Sequence, residues 1–249
     1  MTPVRRRGGP GVWSSPRVVD RFLRDTRAAI PNVGDEIQAM LHLVGAARRP
    51  VRRILDLGAG DGILADALLA WWPRARAVLV DLSDPMLAAA RVRLRRWGRA
   101  VTFLKHDLGS GAWVDAVRPL GPFDAVVSGF AIHHLPDPGK RRVYRAVFGL
   151  LARGGVFVNL EHVASRTRWG EAIADEVFID GLYAFHRSRG RRPTRAAIAA
   201  AWHRREDKQA NILSLVETQC RWLRAIGFSD VDCYFKSYVL AAFGGRRPR

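Results

Sequence analysis

Apolar residues along this chain follow two alternating rhythms, and the first is helical. Val18, Val19, Phe22 and Leu23 recur at the spacing that lays one apolar stripe along a helix, and Ile37, Met40, Leu41 and Leu43 do so again after the Pro31-Asn32-Val33-Gly34 break. The second rhythm is short, continuous and apolar. It predicts a strand over 54–57, a helix to Trp72, a strand over 77–81, a helix from Pro85 to Trp97 and a strand over 101–104. A strand over 123–128, a helix from about Gly139 to Leu151, and a strand over 156–160 after the Arg153-Gly154-Gly155 turn continue the series. Short apolar runs suit strands buried on both faces, and strand–helix alternation predicts a parallel sheet.

The pattern changes over residues 165–209, which read as helical, arginine-rich and strand-free, a candidate insertion or lid. A helix through 215–226 and two strands, 231–235 and 238–243, close the fold, with Lys236-Ser237 as the two-residue turn of an antiparallel hairpin. The expected class is α/β: a Rossmann-like, seven-stranded, mostly parallel sheet with an antiparallel last strand and helices on both faces. The 249 residues and 48% apolar content suit one domain over 15–249, its N-terminal helices occupying 15–48. Residues 1–14, rich in Gly, Pro and Arg, bury too little to offset their ordering entropy and predict a disordered basic tail.

Composition narrows the setting. The net charge of +18 raises the question of a polyanionic partner such as RNA, but lysine occurs only at Lys105, Lys140, Lys208 and Lys236. An excess carried by arginine is also what a GC-rich genome would encode without selection for nucleic acid. Cys220 and Cys233 are too few for a disulfide framework and lack a C-x-x-C spacing, which suits a reduced, cytoplasmic protein. No apolar run approaches the ~20 residues of a membrane span, and no spaced His/Asp/Glu set suggests a metal.

Chemistry-bearing residues fall at strand ends, where open α/β sheets bind their ligands. Asp56 and the loop Gly58-Ala59-Gly60-Asp61-Gly62 end the first strand, Asp81 the second, Lys105-His106-Asp107 the third, Ser128 the fourth and Glu161-His162 the fifth. Asp81 follows Gly60 by 21 residues, the offset at which a carboxylate grips ribose hydroxyls. A dinucleotide fingerprint needs a third glycine where this chain has Ile63, which disfavours pyrophosphate recognition.

The ordered segments DLGAGDG, VDLSDPML, LKHDL, FDAVVSGFAIHHLPD and LARGGVFVNLEHV resemble the successive motifs of class I S-adenosylmethionine-dependent methyltransferases over roughly residues 50–165. That resemblance implies the class I methyltransferase fold, S-adenosylmethionine as cofactor and S-adenosylhomocysteine as product. Asp56, Gly58, Ala59, Gly60 and Gly62 would then cradle the methionine part, Asp81 the ribose, and Asp107 and Leu108 the adenine, with Leu82, Met86 and Ser128 among the remaining contacts. The flanks, VVDRFLRDTRAAIPNVGDEIQAML and the segment from DKQANILSLVETQCRWLRAIGF onward, resemble carboxy-S-adenosylmethionine synthases, a branch serving tRNA wobble-uridine modification. That family holds an extra carboxylate with an arginine, which maps near Arg204 or Arg205 after a one-residue gap, and has an asparagine where this chain has Gly129.

The resulting expectation is methyl transfer to a small molecule or a tRNA nucleoside. The alternatives are a carboxy-S-adenosylmethionine synthase and a non-catalytic RNA-binding protein of the same fold; a homodimer is possible. His133, His134, Glu161 and His162 are the candidate catalytic residues, His133 being the candidate base. Trp169, Tyr183, Phe185 and His186 are the aromatic residues expected to cover an acceptor.

Overall fold

The computed structural model describes residues 10–47 and 50–249. Its single seven-stranded sheet comprises β1 (Arg53–Leu57), β2 (Arg76–Asp81), β3 (Val101–Lys105), β4 (Phe123–Gly129), β5 (Leu151–His162), β6 (Ser229–Ser237) and β7 (Leu240–Arg246), in the order β3-β2-β1-β4-β5-β7-β6. Strands β1 to β5 are parallel, whereas β7 runs antiparallel to both β5 and β6. This is the expected α/β fold.

The apolar strand runs are apolar because both faces are covered. On one face Met40, Leu64, Leu68 and Ala90, from α2 (Val33–Gly45), α3 (Ile63–Trp71) and α4 (Asp84–Arg93), pack over Ile54, Leu79, Val127 and Val158. On the other, Trp113, Tyr144 and Leu223 pack over Leu55, Val126 and Phe157; they come from α5 (Ala112–Val117), α6 (Asp137–Leu150) and α10 (Val216–Ile226). A third cluster joins Ala29 and Ile30 to Phe178, Ile179 and Trp202 of α7 (Arg168–Ser188) and α8 (Arg195–His203). The 165–209 region therefore packs against the N-terminal segment, beyond the carboxyl end of the sheet, and ends in the short α9 (Glu206–Gln209).

Four details differ from the sequence expectation. Pro10–Ser14 forms a 3-10 turn ahead of α1 (Pro16–Arg21), tied to His134 by Trp13, where the expectation had only tail; residues 1–9 lie outside the described residues. The hairpin turn is Tyr238-Val239, because Ser237 still pairs with Leu240; Tyr238 takes the left-handed φ of 52° that such a turn needs. β5 starts at Leu151, before the expected turn, and a register shift opposite Phe123 and Ala125 absorbs the Arg153-Gly154-Gly155 irregularity. Finally, α5 has no counterpart in the expected elements, being only 6 residues long. Among the described residues no helix is long and apolar enough to cross a membrane.

Candidate functional site

Strand order reverses between β1 and β4, and the crevice beyond their carboxyl ends is the cleft around which the site is built. The glycine loop forms its floor. Gly58 N and Ala59 N donate to Val80 O at 2.8 and 3.1 Å, while Gly60 N donates to Asp81 Oδ2 at 2.8 Å. Gly58 has a φ of 64°, and a Cβ there would lie 2.1 Å from the Cβ of Ala131. Glycine at this position is therefore required both by backbone conformation and by the close approach of the β4 loop.

Asp81 also accepts from Ser83 N at 2.8 Å through Oδ1. Burial raises its pKa, against the lowering effect of the backbone donors. Asp56 Oδ2 accepts from Ala65 N, in the first turn of α3, at 3.2 Å, whereas Oδ1 is buried without a partner among the described residues. Desolvation pushes the Asp56 carboxyl up to about 8. A buried oxygen lacking a donor is costly unless a ligand supplies one.

Of the expected cofactor residues, Asp56, Gly58, Ala59, Gly60, Asp81, Leu82, Met86, Asp107 and Leu108 line this cleft together. Gly62 and Ser128 do not. A Cβ at Gly62 would meet Leu94 Cδ1 at 2.7 Å, so this glycine serves helix packing, and Ser128 Oγ donates to the Leu57 carbonyl at 2.8 Å, tying β4 to β1. The opposite wall was not anticipated: Trp13, Phe22, Arg27, Ile30, Val33 and Ile37 close the cleft from the N-terminal segment. Trp13 is fixed there by its carbonyl, which accepts from Ser83 Oγ at 2.6 Å, and by Nε1, which donates to His134 Nε2 at 2.9 Å.

A second cavity adjoins the first and shares Trp13, Phe22, Ile30, Phe130 and His134 with it. Its far walls are Phe178 and Trp202, whose rings stack with centroids 4.8 Å apart, together with Arg205, Asp207, Lys208 and Asn211. His133 and His162 complete the lining, so all three candidate histidines converge here. The expected aromatic cover is different residues of the same helices. Trp169 is 77% exposed, Tyr183 and Phe185 pack into the third apolar cluster, and none of Trp169, Tyr183, Phe185 or His186 lines the cavity.

Glu161 underlies this cavity, fully buried at the end of β5. Its Oε2 accepts from His133 N at 3.0 Å, and its Oε1 lies 2.5 Å from His133 Nδ1. His162 N donates to Oε1 at 3.0 Å. Burial pushes the Glu161 carboxyl up to about 7 and each of His133, His134 and His162 down to about 3. Both directions oppose a His⁺–Glu⁻ ion pair, so the imidazole is neutral and the carboxyl titrates near neutrality. With Glu161 ionised, Nδ1–H donates to it and Nε2 carries the ring's lone pair, with the Asn211 side chain a neighbouring hydrogen-bond partner of the imidazole.

Comparison with known proteins agrees with this architecture. The sequence pattern of the family described as "Methyltransferase domain" matches residues 54–155, the segment from β1 into β5. A demethylmenaquinone methyltransferase of Thermus thermophilus is 36% identical over 116 residues, which cover 47% of this chain and 50% of that protein. The chain thus spans about half the length of the curated relatives it matches. Among solved structures, an O-methyltransferase family protein from Burkholderia thailandensis superposes with a TM-score of 0.61 at 20% identity, covering 92% of this chain and 62% of that one. PigF with SAH does so with a TM-score of 0.55 at 16% identity, over 94% of this chain and 60% of that one. These two likenesses are likenesses of fold.

Proposed function

We propose that this chain, which carries a class I S-adenosylmethionine-dependent methyltransferase domain, transfers a methyl group to a small molecule held in the second cavity. The observation that carries the reading is the shared wall: the cleft built by the glycine loop and the cavity built over Glu161 meet at Trp13, Phe130 and His134.

The cleft fits the cofactor. Asp56, with its orphaned Oδ1, would take the ammonium of the methionine part, and the Gly58–Gly60 backbone leaves room where a Cβ would intrude. Asp81, whose oxygens each hold one backbone N–H, keeps further lone pairs for ribose hydroxyls. Asp107, which accepts from Gly109 N at 2.8 Å, and Leu108 would border the adenine. When bound, the cofactor supplies an electrophilic sulfonium methyl.

The protein's own work is positioning and proton removal. Holding the acceptor against the shared wall, away from water, can supply ~7–11 kcal/mol of the barrier. His133 Nε2 would accept the acceptor's proton, adding about 10²–10⁴-fold, with Glu161 fixing the tautomer and stabilising the imidazolium. The finer readings from sequence were a tRNA nucleoside acceptor and carboxy-S-adenosylmethionine synthesis. A cavity walled by buried Trp202, Phe178 and the N-terminal segment favours a small molecule over a nucleoside within a folded tRNA.

Calorimetry with S-adenosylhomocysteine, followed by incubation of a metabolite extract with methyl-labelled cofactor, tests the reading. Binding of the demethylated product and transfer of label to a low-molecular-weight compound is the expected result. Absence of any binding would overturn it.

A further inference from the structure

Arg205 is the feature of the second cavity that methyl transfer itself leaves unexplained. Its Nε and Nη2 engage the Asp207 carboxylate, Nε at 3.1 Å, and its guanidinium lies 4.4 Å from the centroid of Trp202. The side chain is therefore held rigidly by an ion pair on one edge and an indole beneath it. Yet Nη1 is buried and has no hydrogen-bond partner among the described residues. A guanidinium nitrogen in that condition forfeits a charge-assisted hydrogen bond, and a ligand oxygen would restore it.

The charges around it leave a cation in excess at this end of the cavity. Asp207 is shared by Arg205 and Arg21, the latter at 3.3 Å. Lys208, in contrast, directs two of its three donors to Asp175, with Nζ 2.7 Å from both carboxylate oxygens. Arg21, Arg205 and Lys208 thus share Asp207 and Asp175, and of the two that line the cavity Arg205 is the one with a buried, unpartnered donor. Next to it the stacked Phe178–Trp202 pair presents an apolar, planar wall, and His162 lies 6.3 Å from Phe178, extending that wall toward the His133–Glu161 pair. One end of the cavity wants an anionic oxygen, the middle a flat apolar body, and the other end a proton donor.

We infer that the acceptor is a hydroxylated aromatic acid, its carboxylate hydrogen-bonded by Arg205 Nη1, its ring against Phe178 and Trp202, and its hydroxyl directed to His133. This rests on the methyltransferase reading and names the substrate class of that site. In the transfer the hydroxyl O–H breaks, its proton going to His133 Nε2, while the same oxygen forms the O–CH3 bond as the cofactor's S–CH3 bond breaks to leave a neutral sulfide.

The test uses the full chain saturated with S-adenosylhomocysteine, the 2-, 3- and 4-hydroxybenzoates as probes and the corresponding neutral hydroxybenzamides as controls, with binding followed by calorimetry and ligand-observed NMR. At least one acid is expected to bind tenfold or more tightly than its amide. Arg205→Gln should erase that preference by weakening acid binding far more than amide binding, with S-adenosylhomocysteine affinity unchanged because Arg205 does not line the cofactor cleft, and Lys208→Gln should retain it. Equal binding of every acid and amide to the wild-type protein overturns the inference without recourse to any variant. So does a preference that survives Arg205→Gln or disappears equally in Lys208→Gln. Recovery of a carboxylated cofactor from the purified protein, seen by mass spectrometry, would assign Arg205 to the cofactor and also overturn it. Failure of S-adenosylhomocysteine to bind in the first step would instead defeat the methyltransferase reading, so the two failures are told apart.

Discussion

Trp13 Nε1 donates to His134 Nε2 at 2.9 Å, joining residues 121 positions apart at the wall between the two cavities. Trp13 also packs edge-on against Phe22, with ring centroids 5.1 Å apart, so this side chain adds to the Arg21–Asp207 ion pair and the Ile30 packing that hold the N-terminal segment over the cleft. A ligand passing this wall would need the segment to lift. Trp13→Ala is expected to speed dissociation of S-adenosylhomocysteine by about tenfold, as loss of a buried aromatic contact and its hydrogen bond costs on the order of 1–2 kcal/mol at a partly open site. Stopped-flow fluorescence would check it, and an unchanged off-rate would show that the segment does not gate the cleft.

Asp81 holds the glycine loop as well as facing the cleft, because Gly60 N and Ser83 N both donate to it at 2.8 Å. Asp81→Ala should therefore weaken S-adenosylhomocysteine binding by about a hundredfold or more, the loss of charge-assisted hydrogen bonds being worth about 1.5–3 kcal/mol each. Unchanged affinity by calorimetry would refute the ribose assignment.

Gly58→Ala tests the loop from its other side. The new methyl would meet the Ala131 Cβ at 2.1 Å in a left-handed backbone, a combination of overpacking and strain expected to cost about 1–3 kcal/mol. Adding Ala131→Gly removes the clash and leaves the strain. The double variant should thus regain part, and not all, of the lost melting temperature and cofactor affinity.

The cofactor side was legible in sequence because its residues are consecutive or held at a fixed offset: the loop 58–62 and Asp81 are placed by strand geometry alone. Ser128 misled because a polar residue at a strand end can point either along the crevice or back into the sheet, and here its hydroxyl turns to Leu57 O. Trp13 carried no local signal at all, since its role depends on a chain reversal that brings it to His134. The helical character of residues 165–209 is legible in sequence, but helical phase decides which aromatics face inward. Phe178 and Trp202 do, whereas Trp169 stands in the first turn of α7 and faces solvent.

Glu36 offers a test of stability independent of ligands. It is fully buried in α2, neither carboxyl oxygen has a partner among the described residues, and desolvation followed by repulsion from Glu161 pushes it up to about 8. Its folded pKa exceeds the unfolded value of 4.5. The native state therefore holds a proton that the unfolded chain releases, and the stability so gained is complete below 4.5 and lost as pH rises through 8. Glu36→Gln should melt within a degree or two of the wild type at pH 4 yet be more stable at pH 9, by on the order of 5 kcal/mol at about 1.4 kcal/mol per unit. Parallel melting curves for the two proteins across this range would contradict the burial of a carboxyl at this position.

The His133–Glu161 pair sets the expected pH dependence of transfer. Below about 7 the proton resides on Glu161, whose hydroxyl then donates to Nδ1 and leaves Nε2 protonated, so the imidazole has no lone pair to offer the acceptor. Above about 7 Glu161 is a carboxylate, Nδ1–H donates to it, and Nε2 carries the lone pair. Single-turnover rates should rise with pH and level off above an apparent pKa near 7 that belongs to the pair and not to either residue. Glu161→Gln keeps an oxygen for Nδ1–H but removes the titration, so its profile should lose the inflection while the rate falls about a hundredfold or more, within the range assigned to general-base catalysis. His133→Gln should fall as far with S-adenosylhomocysteine affinity intact, because His133 does not line the cofactor cleft. An unaltered inflection near pH 7 in both variants would place the titrating group on the acceptor and remove the base from the mechanism.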